Sequence, residues 1–375
     1  MILCGGLCMM SGINALANHW QVDQPDAALR LRPDDAIALS SLEDRAMSDE
    51  GFSSAQTAHL LDSAQRALRA DPLTAASIRQ AGMVETLRGD APRARRLVRL
   101  AHRVSRRDLA TSIWLIQDSL AQGQIGPILR YFDQAISTSH LAYEILFPAL
   151  SSALFDPALR AGFAPFIRQN RAWVSNFLEQ SIYTPDGDRH VAAIVITAGG
   201  LPNGSAYAGL GAKILSALVA RGNVQVAHAY LRHVLRIDDR LLGDPGFSAS
   251  TQDSMLGPFA GTFANGDMLR TQPDENGKLH IWLSPEHYGP AAWRTLMLKP
   301  GALSIMIAPN AGSDLPHGTA RWELSCRPDG SGRIVSTLDI PAVAEGRPTA
   351  RALEIPNDCT AQQLRLVVGN DDVES

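Results

Sequence analysis

AASIRQAGMVETLRGDAPRARRLVRLAHRVSRRD, residues 75–108, decides how the chain is read. Two helical runs flank Gly89, where a glycine permits the left-handed backbone that ends a helix. Small residues stand where the two helices must approach: Gly82 in the first, Ala94 and Ala101 in the second, with bulkier Val98 between the alanines. The stretch predicts a helical hairpin. Its period extends outward, since Ala67, Ala101 and Ala135 are 34 residues apart, as are Gly89 and Gly123. QRALRADP (65–72), VRLAHRVSRRD (98–108) and YFDQAISTS (131–139) each place an alanine in a helix end that runs into a turn. An earlier copy, DAALRLRP (26–33), lies 39 residues before the second and predicts an insertion in the first repeat.

Residues 109–142 keep Leu115, Gly123, Phe132 and Ala135 in register, with Ile128 where a small residue is expected, and residues 208–241 keep Gly222, Ala227 and Leu231. This pattern resembles the tetratricopeptide repeat, whose antiparallel helix pairs pack through small residues at set places. The resemblance implies an α-helical solenoid with a concave surface for a protein partner. Between the copies, residues 141–205 still read as helix, cut into short pieces by Pro148, Pro157, Pro165 and Pro185.

From about residue 241 turn words such as GDPGF, DENGK, KPG, PDGSG and PND punctuate the chain. Between them lie runs of period-two alternation: KLHIWLS (278–284), RTLMLK (294–299), ALSIMIA (302–308), ARWELSC (320–326), RIVSTLDI (333–340) and QQLRLVV (362–368). Short strands at regular intervals predict an antiparallel β-sandwich. WRTLMLKPGALSIMI, RWELSC and IPNDCTAQQLRLVV together resemble a jelly-roll domain of the carbohydrate-binding-module type. The expected organisation is a segment 1–22 that serves as signal or membrane anchor, a helical repeat domain over 23–240, and a sandwich over 245–370.

Composition narrows the function. The 375 residues carry a formal net charge of -4, and 45% of them are hydrophobic, so the chain reads as folded and not as a nucleic-acid binder. Residues 1–22 are uncharged and begin MILCGGLCMM, which is short for a span and lacks a basic start. It reads either as the remnant of a signal or anchor or as an ordinary first helix. Cys4 and Cys8 each follow leucine, which rules out a lipobox reading. Cys326 and Cys359, both among the strands, suit a disulfide in an oxidising compartment; two buried free thiols in a cytoplasmic sandwich are the alternative.

No G-x-S-x-G, H-E-x-x-H, P-loop or C-x-x-C motif is present, and no cofactor is implied. His228 and His233, five apart, fall on different helix faces and do not suggest a metal site. Gly199, Gly200 and Gly204 follow HVAAIVITA (190–198). If that run is a strand, the glycines can approach a phosphate at the next helix; if it is a helix, they merely end it. Arg96, Arg99, Arg103 and Arg106 recur every three or four residues along one helix stripe, either a hold for an anionic polymer or lipid headgroups or a plain solvated face.

In the sandwich, alternation puts Trp322 with Leu324 and Cys326 in the core, and Trp282 with His280 outside, opposite Leu279, Ile281 and Leu283. An outward indole can stack on a sugar ring, and Tyr288 and Trp293 can extend the platform or pack on the helical domain. The expected function is a non-catalytic scaffold of the cell envelope, facing the periplasm and serving surface-polysaccharide export or assembly. Its expected partners are proteins at the repeats and a glycan at the sandwich. The alternative is a cytoplasmic glycosyltransferase-like enzyme using residues 199–211.

Overall fold

The computed structural model describes residues 2–48, 54–248, 253–275, 277–285, 287–307, 318–326, 332–340 and 349–370. Helices occupy the chain to Gly243 and antiparallel strands follow from Thr262, so the protein is a helical region succeeded by a β region. Contact density groups the chain at another place. Residues 1–150 form one compact unit and 151–375 a second, which holds the last helices together with all the strands.

The first unit contains α1 (Ile2–Trp20), α2 (Pro25–Leu31), α3 (Ala36–Ser48), α4 (Ser54–Ala70), α5 (Ala75–Leu87), α6 (Ala91–Val104), α7 (Leu109–Ala121) and α8 (Ile125–Thr138), and most of α9 (Leu141–Ala153). From α3 to α7 each helix packs on its successor, the run ending at α8, as in a stacked array. The α5–α6 hairpin follows from its small residues. A Cβ on Gly82 would lie 2.8 Å from Val98 Cγ2 and 3.3 Å from the Ala94 carbonyl, so only glycine admits this approach. Gly89 has φ +83°, and its N–H bonds to Thr86 O while Asp90 N–H bonds to Glu85 O. These are the two bonds of a Schellman cap, which satisfy helix-end carbonyls. The same pair recurs around Gly123 and Gly222. Ala94, Ala101, Ala135 and Ala227 are all buried, as is Phe132.

The second unit continues with α10 (Pro157–Arg168), α11 (Val174–Ile182), α12 (Gly187–Ala198), α13 (Leu210–Ala220), α14 (Val224–Tyr230) and the short α15 (Asp239–Gly243). Pro157 opens α10 and Pro185 falls between helices, as expected of breakers, but Pro148 and Pro165 sit inside α9 and α10. Residues 190–198, the disputed run, are the body of α12. The helices are tied to the strands by the turn Ser254–Phe259. A Cβ on its Gly257 would touch Ala212 O of α13 at 3.0 Å.

The strands are β1 (Thr262–Phe263), β2 (Leu269–Pro273), β3 (Leu279–Leu283), β4 (Tyr288–Leu296), β5 (Gly301–Ile307), β6 (Gly318–Cys326), β7 (Ile334–Ile340), β8 (Thr349–Ile355) and β9 (Gln362–Asn370). One sheet has the order β1-β4-β9-β6-β7, and two ladders, β2-β3 and β5-β8, make a second layer. Leu269, Ala292, Leu366 and Val368 form a core with Leu279, Ile281 and Leu283 packed on it, which seats β2-β3 against the large sheet. Ile355 and Leu303 do the same for β5-β8 with Leu296, Leu324 and Leu364. Pro290 sits where the β4 register shifts, a bulge that spares the sheet a missing donor. The Cys326 and Cys359 sulfurs are 2.13 Å apart and their Cα atoms 5.3 Å, joining the end of β6 to the approach to β9. Buried Gln362 fastens the same corner: its amide donates to Cys359 O at 2.7 Å and accepts from Leu298 N at 2.8 Å.

Candidate functional site

The outer face of the β2-β3 ladder carries the most exposed tryptophan whose setting the register defines. Pairing places Arg270 opposite Trp282 and Gln272 opposite His280, while Leu269, Thr271, Leu279, Ile281 and Leu283 point the other way. Period-two alternation thus leaves Arg270, Gln272, His280 and Trp282 together on one exposed surface. Trp282 remains 54% exposed, a large apolar area to leave in water. His280 stacks toward it, with ring centroids 6.4 Å apart and planes 29° from parallel.

Asp274 organises the hairpin end. Its N–H donates to Lys278 O, its carboxylate accepts from Lys278 N at 2.9 Å, and its Oδ2 lies 3.7 Å from His280 Nε2. Gly277 completes the turn at φ +77°, and a Cβ there would lie 3.1 Å from the backbone of Phe247 and Ser248. The result is a flat ledge of indole and imidazole, edged by a guanidinium and an amide. Such a surface can stack on the C–H face of a pyranose ring while the edge groups bond its hydroxyls.

Tyr288 and Trp293 do not join this ledge. Tyr288 faces Gly369 and Trp293 faces Arg365, whereas Ala292 with Leu366 belongs to the core side. They therefore lie on the opposite face of the large sheet from the layer that presents Trp282. The expected three-aromatic platform is two separate surfaces. Tyr288 lies over Gly369, its hydroxyl accepting from Arg321 Nη2 at 3.0 Å, and Arg321 also reaches Glu323 at 2.8 Å. Trp293 is half-buried.

The glycine-rich segment is arranged as a helix stop. Gly199 has φ +83° and Gly200 N–H bonds to Val195 O, the same cap that ends α5. A phosphate loop of the strand-to-helix kind needs a strand before its glycines, and α12 stands there instead. His228 Nε2 lies 2.8 Å from Asp239 Oδ1. In the first unit, Arg96, Arg99 and Arg103 are exposed on α6, whereas Arg106, expected on the same helix stripe, is exposed in the turn that follows, because α6 ends at Val104. Arg93 and Arg95 beside them are paired, with Glu85 and Asp118.

Sequence reasoning found Trp282 and His280 but missed Arg270, Gln272 and Asp274. LRTQP is five residues ending in proline, too short and too polar to declare itself a strand; the signal lay in its alternation with the run that follows DENGK. The chain matches no protein-family model and no curated protein, so the ledge is argued from its own residues.

Proposed function

We propose that the protein is a non-catalytic scaffold of the cell envelope whose sandwich holds a polysaccharide chain and whose helical array receives a protein partner. The observation that carries the reading is the exposed Trp282 with His280 stacked toward it and Arg270 and Gln272 across the ladder. Uncovered indoles on a sheet are costly in water, and sugar stacking offsets that cost. Two further features support it. The Cys326–Cys359 pair suits an oxidising compartment such as the periplasm. The array of helix hairpins supplies the extended surface that such folds use for protein partners. The helical state of residues 190–198 removes the strand on which a nucleotide-sugar enzyme reading depends.

The test is retention on immobilised neutral polysaccharides, with affinity followed by tryptophan fluorescence. Trp282→Ala should weaken binding about five- to 150-fold, since one stacked base or ring is worth roughly 1 to 3 kcal/mol. Trp293→Ala, on the other face, should not. Equal retention of wild type and Trp282→Ala, or no retention of either, overturns the reading.

A further inference from the structure

Among the described residues no carboxylate pairs with Arg96, Arg99 or Arg103 of α6. Arg96, Arg99 and Arg103 follow one another at helical spacing on α6, which contains no acidic residue, and Arg106 continues the basic run in the turn just beyond the helix end at Val104. The carboxylates that approach this helix are already engaged: Glu85 with Arg88 and Arg93, Asp118 with Arg95, Asp108 with Arg79, and Asp90 as the α6 N-cap. On α8, Arg130 lies 5.7 Å over the Tyr131 ring, and Asp133 is the carboxylate of that helix. Like charges three and four residues apart repel one another, so the stripe costs the free helix stability. Leu100 stands in the same line, between Arg96 and Arg103, and is 39% exposed.

We propose that this stripe docks the first unit on an anionic lipid surface. Leu100 favours a bilayer over a polyanion, because an exposed leucine within an arginine line gains by entering the headgroup boundary and gains nothing from a hydrophilic chain. The helix α1 gives a second argument. It is uncharged through its apolar start and exposes Met10 and Leu16, yet among the described residues no helix is long and apolar enough to cross a membrane. A weak apolar contact gives stable attachment only when joined to a basic patch, and α6 supplies one in the same compact unit.

The experiment is co-sedimentation of the full chain with vesicles of equal parts phosphatidylglycerol and phosphatidylcholine, against vesicles of phosphatidylcholine alone. Each arginine near a charged surface contributes about fivefold in partitioning, so Arg96→Gln, Arg99→Gln, Arg103→Gln and Arg106→Gln together should lower binding by several hundredfold. Rising salt should release the wild type from the anionic vesicles. Leu100→Ser should weaken vesicle binding severalfold and leave retention on immobilised heparin, the polyanion probe, unchanged. Trp282→Ala should bind vesicles as wild type does, which keeps this test apart from the glycan reading. Salt-independent binding, unchanged binding by the fourfold variant, or retention by heparin or poly-glutamate without vesicle binding overturns the proposal.

Discussion

Arg79 in the helical array and Arg294 in the sandwich are both fully buried, yet their surroundings treat the charge in opposite ways. Arg79, on α5, donates from Nη2 to both Asp44 oxygens at 2.7 and 2.9 Å, and from Nε to Asp108 at 2.9 Å. Asp44 is on α3 and Asp108 is the N-cap of α7, so one guanidinium joins the first helices of three successive pairs. Burial pulls its pKa down, but Asp108 and Asp44 pull harder and leave it raised. Arg294, on β4, meets only neutral acceptors among the described residues, Gly246 O at 2.6 Å and Leu241 O at 3.2 Å, and its Nε has no partner among them. Burial pushes it down to about 10, Asp244 pulling weakly the other way. A buried cation therefore locks the register of the array, whereas in the sandwich it is a burden carried to hold the entering chain against β4.

Exchange of each arginine for methionine, followed by chemical denaturation, sharpens this contrast most. Arg79→Met strands two carboxylates and should cost about 3 to 5 kcal/mol. Arg294→Met gives up two bonds to carbonyls but also a desolvated charge, so it should stay within about 1 kcal/mol of wild type. Because the folded pKa of Arg294 is depressed below its unfolded value, the unfolded state binds more protons above about pH 10, and the burden lifts as pH rises beyond that point toward the unfolded value. Equal losses in the two variants would break the comparison.

The bond between Cys326 and Cys359 gives the next effect. Closing a loop whose ends are 33 residues apart should contribute about 4 kcal/mol, on the chain-entropy account. Reduction, or Cys326→Ser with Cys359→Ser, should speed hydrogen exchange in β6 and β9 and leave α5 and α6 unchanged. Loss of protection in the array as well would mean that the two units do not unfold separately.

The two regions also differ in how far they could be read from the chain. The hairpin at 75–108 was legible because its signals are local: Gly82 allows a close approach, and Gly89 a left-handed turn that recurs 34 residues on at Gly123. Arg79 was not legible, since nothing near it in sequence announces partners 35 and 29 residues away. Among the strands, ARWELSC and QQLRLVV follow plain alternation, whereas β8, TARALEI, is composed of good helix formers and becomes strand only through pairing with β5. Tyr288 and Trp293 failed as partners of Trp282 for a similar reason. Their nearness in sequence hides the step from one layer to the other, and no local signal reveals it.

The smallest effect concerns His102, beside the α6 stripe. Burial holds its pKa below the usual imidazole value, Arg106 lowers it further, Arg130 from α8 adds to this, and Gln134 opposes. Its ring also meets Tyr131 edge-on at 5.2 Å. His190 in the second unit provides the control: burial and then Arg160 lower it, with no arginine stripe nearby. With a depressed folded pKa, each ring contributes stability at neutral pH that is lost as pH falls through the unfolded value near 6.5. Arg106→Gln should raise the His102 titration midpoint by a few tenths of a pH unit or more, followed by proton NMR of the imidazole, and leave His190 where it was. Anionic vesicles should raise the wild-type midpoint in the same direction, because lipid phosphates neutralise the arginines that oppose protonation. If His102 titrates identically in the variant, Arg106 does not act on it, and the basic run that continues α6 does not converge on the His102 ring.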